Sequence, residues 1–241
     1  MGAFHRWSNP ANPSRAAAPS YIITMTAYRV FDIETGPGPL AEIEHLLPAF
    51  EPPGNIKDPV KIEERRKEHR SRAIADAALS SMTGRVLAVG IKDNDGETVI
   101  LDGGGDEWQL IRDTWHHLGK DRDDLRLPFV VGFNCTQFDL PFLMQRTWIL
   151  GLSVPSWIRS GRWWDRRIID LRDLWQSGNR ETRGSLDAIA RACAIGAKNG
   201  DGAQFADLWT SDRAKAIEYL KNDIRLTEAL AVRLGVPTLA V

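Results

Sequence analysis

Two carboxylates, Asp32 and Glu34, flank one isoleucine in YRVFDIETG (28–36). Alternate side chains of a strand share a face, so both acids point the same way and Ile33 points into the opposite core. Burying acids is costly unless something pairs with them. Two further acids stand in telling contexts. Asp139, in LPFVVGFNCTQFDLPFL (127–143), falls in the first turn of a helical pattern that follows a short apolar run, with Pro141 at an early helical position. Asp223, in EYLKNDIRL (218–226), comes four residues after Tyr219, so the two share one helix face. Two carboxylates about 4 Å apart repel by about 4 kcal/mol at an effective dielectric near 20. Were these four acids to meet at one site, such repulsion would make sense only around cations. An all-oxygen donor set suits Mg²⁺ or Mn²⁺ rather than zinc, and no Cys/His set competes for that role.

The elements that must position these residues follow from pattern. TAYRVFDIE reads as a strand stopped by GPGP, and residues 40–60 as Pro-rich and irregular. KDPVKIEERRKEHRSRAIADAALS carries helix formers, with Asp58 and Pro59 as its start. GRVLAVGIKD and ETVILDG form a hairpin around Asn94-Asp95-Gly96. DEWQLIRDTWHHLG is an amphipathic helix with Trp108, Ile111, Trp115 and Leu118 at helical spacing. A strand ends at Asn134 and a helix runs from about Thr136 to Leu150. Then come the strand RRIIDL, the helix GSLDAIARACAI, and the longest helical pattern, DRAKAIEYLKNDIRLTEALAVRL. The order predicts one α/β domain whose mixed sheet has an early antiparallel hairpin and is flanked by helices.

Composition sets outer bounds. The chain has 241 residues, 43% hydrophobic and 26% charged, with a formal net charge of −1. Such values describe an ordinary globular protein with no global nucleic-acid signature, although a local groove can be basic inside a neutral protein. Two cysteines, Cys135 and Cys193, make no disulfide framework, which points to a reducing cytoplasm. No window has the apolar length of a membrane span. Residues 1–26 lack the apolar core of a secretory signal and are expected to be a disordered tail.

Three signatures occur in order: DIE after a strand, N-x-x-x-F-D-x-P-F-L, and a helical Y-x-x-x-D. Together they resemble the DEDD superfamily of 3′–5′ exonucleases, tyrosine subtype, and in particular stand-alone homologues of the family B DNA polymerase proofreading domain. The histidine subtype would carry His five residues before the last Asp; that position is Glu218 here. The likeness spans about Ala27 to Leu234, with 40–82 as an insertion, and implies a ribonuclease H-like fold over 27–241. It also implies that Asp32, Glu34, Asp139 and Asp223 hold two divalent cations, Mg²⁺ or Mn²⁺. Asp32 would bridge both, Glu34 and Asp223 would complete the first, Asp139 would serve the second, and Tyr219 would position or help deprotonate the attacking water.

The same resemblance places Asn134, Phe138, Thr35 and Gly36 beside the substrate strand. Bland readings stand next to these: a loop-shaping asparagine, a core phenylalanine, and a chain-reversing GPG. Phe142 is read as core, Asp170 as a site neighbour or a strand-end structural acid, and His116 and His117 as a solvated helix end. Residues 57–72 and 159–183 each hold seven Lys/Arg against four acids, the second with Trp163, Trp164 and Trp175 interleaved. Each is a candidate nucleic-acid surface, with a solvated helix face or a core edge as the plain alternative. The expected activity is release of nucleoside 5′-monophosphates from single-stranded DNA 3′ ends. A chain ending at Val241 leaves no room for a polymerase palm, so a polymerase or repair complex would be a partner in trans. The alternatives are an exoribonuclease, a catalytically silent nucleic-acid-binding module, and a protein whose acids are only structural.

Overall fold

The computed structural model describes residues 28–93, 96–120, 128–158, 164–179, 181–182 and 184–236. The expected tail, the hairpin residues Asn94 and Asp95, and Trp163 lie outside the described residues. The central strand is β1 (Tyr28–Pro37), whose Val30, Phe31 and Ile33 are buried. A short helix α1 (Leu40–Ile43) and the long α2 (Pro59–Ala77) follow. The α2 start is as expected: Asp58 accepts from the Val60 amide at 3.0 Å and Pro59 occupies the first turn. The hairpin pairs β2 (Gly84–Asp93) with β3 (Val99–Leu101), and α3 (Glu107–Leu118) crosses back over the sheet. Then come β4 (Phe129–Gly132), α4 (Asp139–Ile149), β5 (Ile168–Asp170), α5 (Leu171–Gln176), α6 (Leu186–Ala192), α7 (Phe205–Ser211) and α8 (Arg213–Arg233).

The sheet order is β3-β2-β1-β4-β5. β1 pairs antiparallel with β2 and parallel with β4, and β5 extends the parallel half. This is the mixed sheet with an early hairpin that the sequence predicts. Alternation along β1 divides the interior. Val30 packs with Leu220, Ile224 and Leu230 of α8, whereas Phe31 and Ile33 pack with Ile111 of α3 and Leu143 of α4. Helices therefore cover both faces, and Ile33 lies in the core opposite α8, as its place between the acids requires.

One close approach sets the position of α8. Asp32 sits opposite Gly90 of β2, and a Cβ at Gly90 would fall 2.8 Å from Ile224 Cγ1 and 3.1 Å from Leu220 Cγ. The missing side chain lets α8 lie directly on the β1–β2 pair, with its buried Tyr219, Asp223 and Thr227 on that side.

Several expectations need correction. β1 does not stop at GPGP: Gly36 and Pro37 stay paired with Arg85 and Gly84, and a bulge falls between Glu34 and Thr35. Proline is tolerated there because it is the strand's last residue. β4 ends at Gly132, two residues early, and α4 begins at Asp139 rather than near Thr136. Asn134, at φ +60°, turns the chain between them. Leu40–Ile43 is helical inside the stretch read as irregular, and α5 and α7 are additional helices. Trp108 is 40% exposed and stacks under Arg112 at 5.3 Å, so the core face of α3 runs through Leu110, Ile111, Trp115 and Leu118 instead.

Candidate active site

Asp32, Glu34 and Asp223 bring carboxylate oxygens within 4.8 Å of one another. β1 supplies the first two from one face, and α8 supplies the third from above. Asp139, at the start of α4, completes the group: its Oδ1 accepts the Ile33 amide at 3.1 Å, which ties the helix start to β1 between the two acids. Asp32 is partly exposed to a cavity of about 720 Å³, whereas Glu34, Asp139 and Asp223 are buried. Asn134, Phe138, Ser185 and Leu186 line the same cavity.

The electrostatics are those of like charges crowded away from water. Burial raises the Asp32 carboxyl well above the usual range, and the charges of Asp139, Glu34 and Asp223 add to it. Glu34 is raised well above its ordinary value by burial and then by Asp223. Burial pushes Asp139 up to about 7 against the Ile33 amide that favours its charge. Asp223 is raised by burial while Lys198 opposes the shift. Without cations the cluster cannot carry its full charge at neutral pH.

Lys198 was not visible as a site residue in the sequence. Its Nζ lies 2.5 Å from Asp223 Oδ2 and 4.9 Å from the Tyr219 ring centre. Burial pulls its ammonium down, but Asp223, Asp32 and Glu34 together leave it raised. The segment that carries it is fixed from both sides: the Lys198 amide donates to Asp187 Oδ1 at 2.7 Å, and Asn222 Nδ2 donates to the Ala197 carbonyl at 3.1 Å. Gly200 then passes against Tyr219, where a Cβ would come 2.8 Å from the ring. The one sequence cue was the small, turn-forming run KNGDG (198–202).

Tyr219 is buried with its hydroxyl beside the Asp223 carboxylate, close enough for the two to influence each other's titration, yet neither the hydroxyl nor Asp223 Oδ1 makes a well-formed hydrogen bond. Burial and the charges of Asp223, Glu34 and Asp32 raise the phenol above its ordinary range. An orphaned buried hydroxyl and carboxylate oxygen are expensive unless a ligand completes them. Three carboxylates with mutually close oxygens, a fourth beside them and no nitrogen or sulfur donor form a set that fits a hard divalent cation.

Other residues separate clearly. Thr35 donates to the Ala78 carbonyl at 2.7 Å, and Gly36 packs where a Cβ would meet Leu87 at 2.6 Å; neither lines the cavity. Phe138 lines it and Phe142 is core. Asp170 is a structural acid: it accepts from the amides of Asn134, Thr136 and Arg172 and from the Thr136 hydroxyl, at 2.7–2.9 Å. His116 is exposed at the end of α3, outside the cavity lining. The charges of α2 engage neighbours, as in Arg70 with Glu44 at 2.7 Å. Trp164 and Trp175 pack at the edges of the two cores, so these tryptophans of the second basic stretch are scaffold, while its Arg172 lines the cavity.

Residues 67–235 match the family described as a predicted 3′–5′ exonuclease related to the exonuclease domain of PolB. The chain belongs to this PolB-related exonuclease family. Asp139, Tyr219 and Asp223 fall inside the matched stretch; Asp32 and Glu34 precede it. Among solved structures, the family B DNA polymerase from the hyperthermophilic archaeon Pyrobaculum calidifontis superposes with a TM-score of 0.56 at 20% identity. The likeness covers 87% of this chain and 24% of the polymerase, so the chain spans about a quarter of that protein. It establishes the ribonuclease H-like exonuclease fold. No curated protein matches the chain. Among the described residues no helix is long and apolar enough to cross a membrane.

Proposed function

We propose that this member of the PolB-related exonuclease family is a DEDD enzyme of the tyrosine subtype, removing nucleoside 5′-monophosphates from the 3′ ends of single-stranded DNA. The convergence of Asp32, Asp139 and Asp223 on one cavity, with Glu34 clustered against Asp32 and Asp223 and Tyr219 buried beside them, supports this more than any other observation. Asp32, Glu34 and Asp223 would hold one divalent cation, and Asp32 with Asp139 a second. Two such ions, Mg²⁺ or Mn²⁺, supply Lewis-acid charge to the attacking and leaving oxygens of a phosphodiester.

The chain's own groups do the rest. Asn134, Phe138, Ser185 and Leu186 bind and orient the terminal nucleotides. The Tyr219 hydroxyl keeps its proton and orients the attacking water by hydrogen bonding. Lys198 neutralises part of the acid charge and holds Asp223 in place.

The test is incubation with single-stranded DNA and RNA labelled at either end, in Mg²⁺, Mn²⁺ or EDTA. The expected result is mononucleotide release from the DNA 3′ end, lost in EDTA. Cleavage that persists in EDTA contradicts the metal requirement, and preference for RNA makes the enzyme an exoribonuclease. Binding without cleavage makes it a silent module.

A further inference from the structure

Arginines of this fold are characteristically spent on carboxylates. Arg29 pairs with Asp93 at 2.6 Å, Arg167 with Asp165 at 2.8 Å, and Arg146 grips both oxygens of Glu107 at 2.9 and 2.6 Å. Arg172 differs. It lines the acid cavity from α5, yet it forms no ion pair among the described residues. Its Nη1 donates to a neutral acceptor, Asn134 Oδ1, at 2.8 Å, and its buried Nε has no partner. Arg85 also has an unpartnered buried Nε, but it sits in a separate pocket lined by Asp102 and Glu107.

The surroundings hold this guanidinium in place. Asp170 accepts the Arg172 and Asn134 amides through one oxygen and Thr136 through the other, so one buried carboxylate anchors both α5 and the 134–136 turn. Because a guanidinium only donates, its bond to Asn134 Oδ1 fixes that amide and leaves Nδ2 as a donor. Arg172 and Asn134 thus present adjacent donors with no carboxylate between them. Lys198, the other cationic side chain lining the cavity among the described residues, is already engaged by Asp223.

We propose that Arg172 binds a backbone phosphate of the substrate strand, with Asn134 as its companion donor. This rests on the exonuclease function proposed above and adds to it an anion site in the cavity that the acids line. A planar fork of donors suits phosphate, and one fixed cation counters the repulsion that a polyanion meets at four carboxylates. Phosphate is common to DNA and RNA, so the contact is independent of sugar and base.

The experiment is equilibrium binding of a fluorescent, cleavage-resistant oligothymidylate in Mg²⁺ across a range of NaCl concentrations. Wild type is compared with Arg172→Gln and Arg172→Lys, with thermal melts as a folding control. Arg172→Gln should raise Kd about tenfold, the scale of one charged hydrogen bond. It should also lower the slope of log K against log salt by about 0.7, the value for one lost contact to a single strand. Arg172→Lys should weaken binding less and keep the slope, and oligouridylate should show the same pattern. An unchanged slope in Arg172→Gln, whatever happens to Kd or Tm, overturns the phosphate contact. Failure of wild type to bind either strand would instead overturn the exonuclease function itself.

Discussion

At Tyr219 a buried hydroxyl without a partner stands beside an orphaned carboxylate oxygen of Asp223. The hydroxyl's polar neighbour is the Asp223 carboxylate and no well-formed hydrogen bond is lost with it, so Tyr219→Phe should change Tm little. If the hydroxyl orients water, the same variant should lower kcat by about tenfold or more with KM preserved. Equal kcat in the two proteins would remove Tyr219 from the chemistry. Tyr219 and the four acids were legible in the sequence because each sits at a set offset within a strand end or a helix. Lys198 was not, and Arg172 stood only as one of seven basic residues in the 159–183 stretch read as a candidate nucleic-acid surface, because a loop lysine and one arginine among many gain individual meaning only through long-range packing. For Lys198 the partners are Asp223 and Tyr219, more than twenty residues away. For Arg172 the partner is Asn134, on the far side of β5 in the chain.

The element that matters most is α8, because it carries two site residues and is located by one glycine. A methyl group at Gly90 would collide with Ile224 and Leu220. Gly90→Ala should cost about 1–3 kcal/mol by overpacking, seen in urea unfolding, and should lower nuclease activity by shifting Tyr219 and Asp223 off β1. Ile224→Ala, which removes the Cγ1 that the new methyl meets, should cost less stability in the Gly90→Ala chain than in wild type; equal costs in both would show that Gly90 does not set the helix position. Long elements such as β1, β2, α2 and α8 were readable from periodicity and caps. The end of β4 and the start of α4 were blurred by a left-handed Asn134 that no pattern announces. Helices of six or seven residues, such as α5 and α7, are too short for a periodic signal.

For the whole molecule, the acid cluster couples stability to pH and to cations. A carboxyl raised in the folded state holds its proton more tightly there than in the unfolded chain. That stability is fully present below the unfolded value near 4 and is lost as pH rises through the folded value, about 7 for Asp139. The raised Asp32, Glu34 and Asp223 act in the same direction. Metal-free protein should therefore lose on the order of a few kcal/mol of site stability between pH 4 and 8. Mn²⁺ should raise Tm at pH 8 and do little at pH 5, where protons occupy the cluster. A Mn²⁺ shift of equal size at both pH values would place the binding elsewhere. The fold class, the mixed sheet with its early hairpin and the acids were accessible from sequence, whereas the strand order, the cavity's cationic side chains and the paths of the loops required the folded chain. The central claim is that these carboxylates form a 3′–5′ exonuclease site, and one time course tests it most directly. Release of nucleoside 5′-monophosphate from 3′-labelled single-stranded DNA in Mn²⁺ is followed for wild type and for Asp32→Ala. The account predicts steady release by wild type and none by the variant; equal release by both would contradict it.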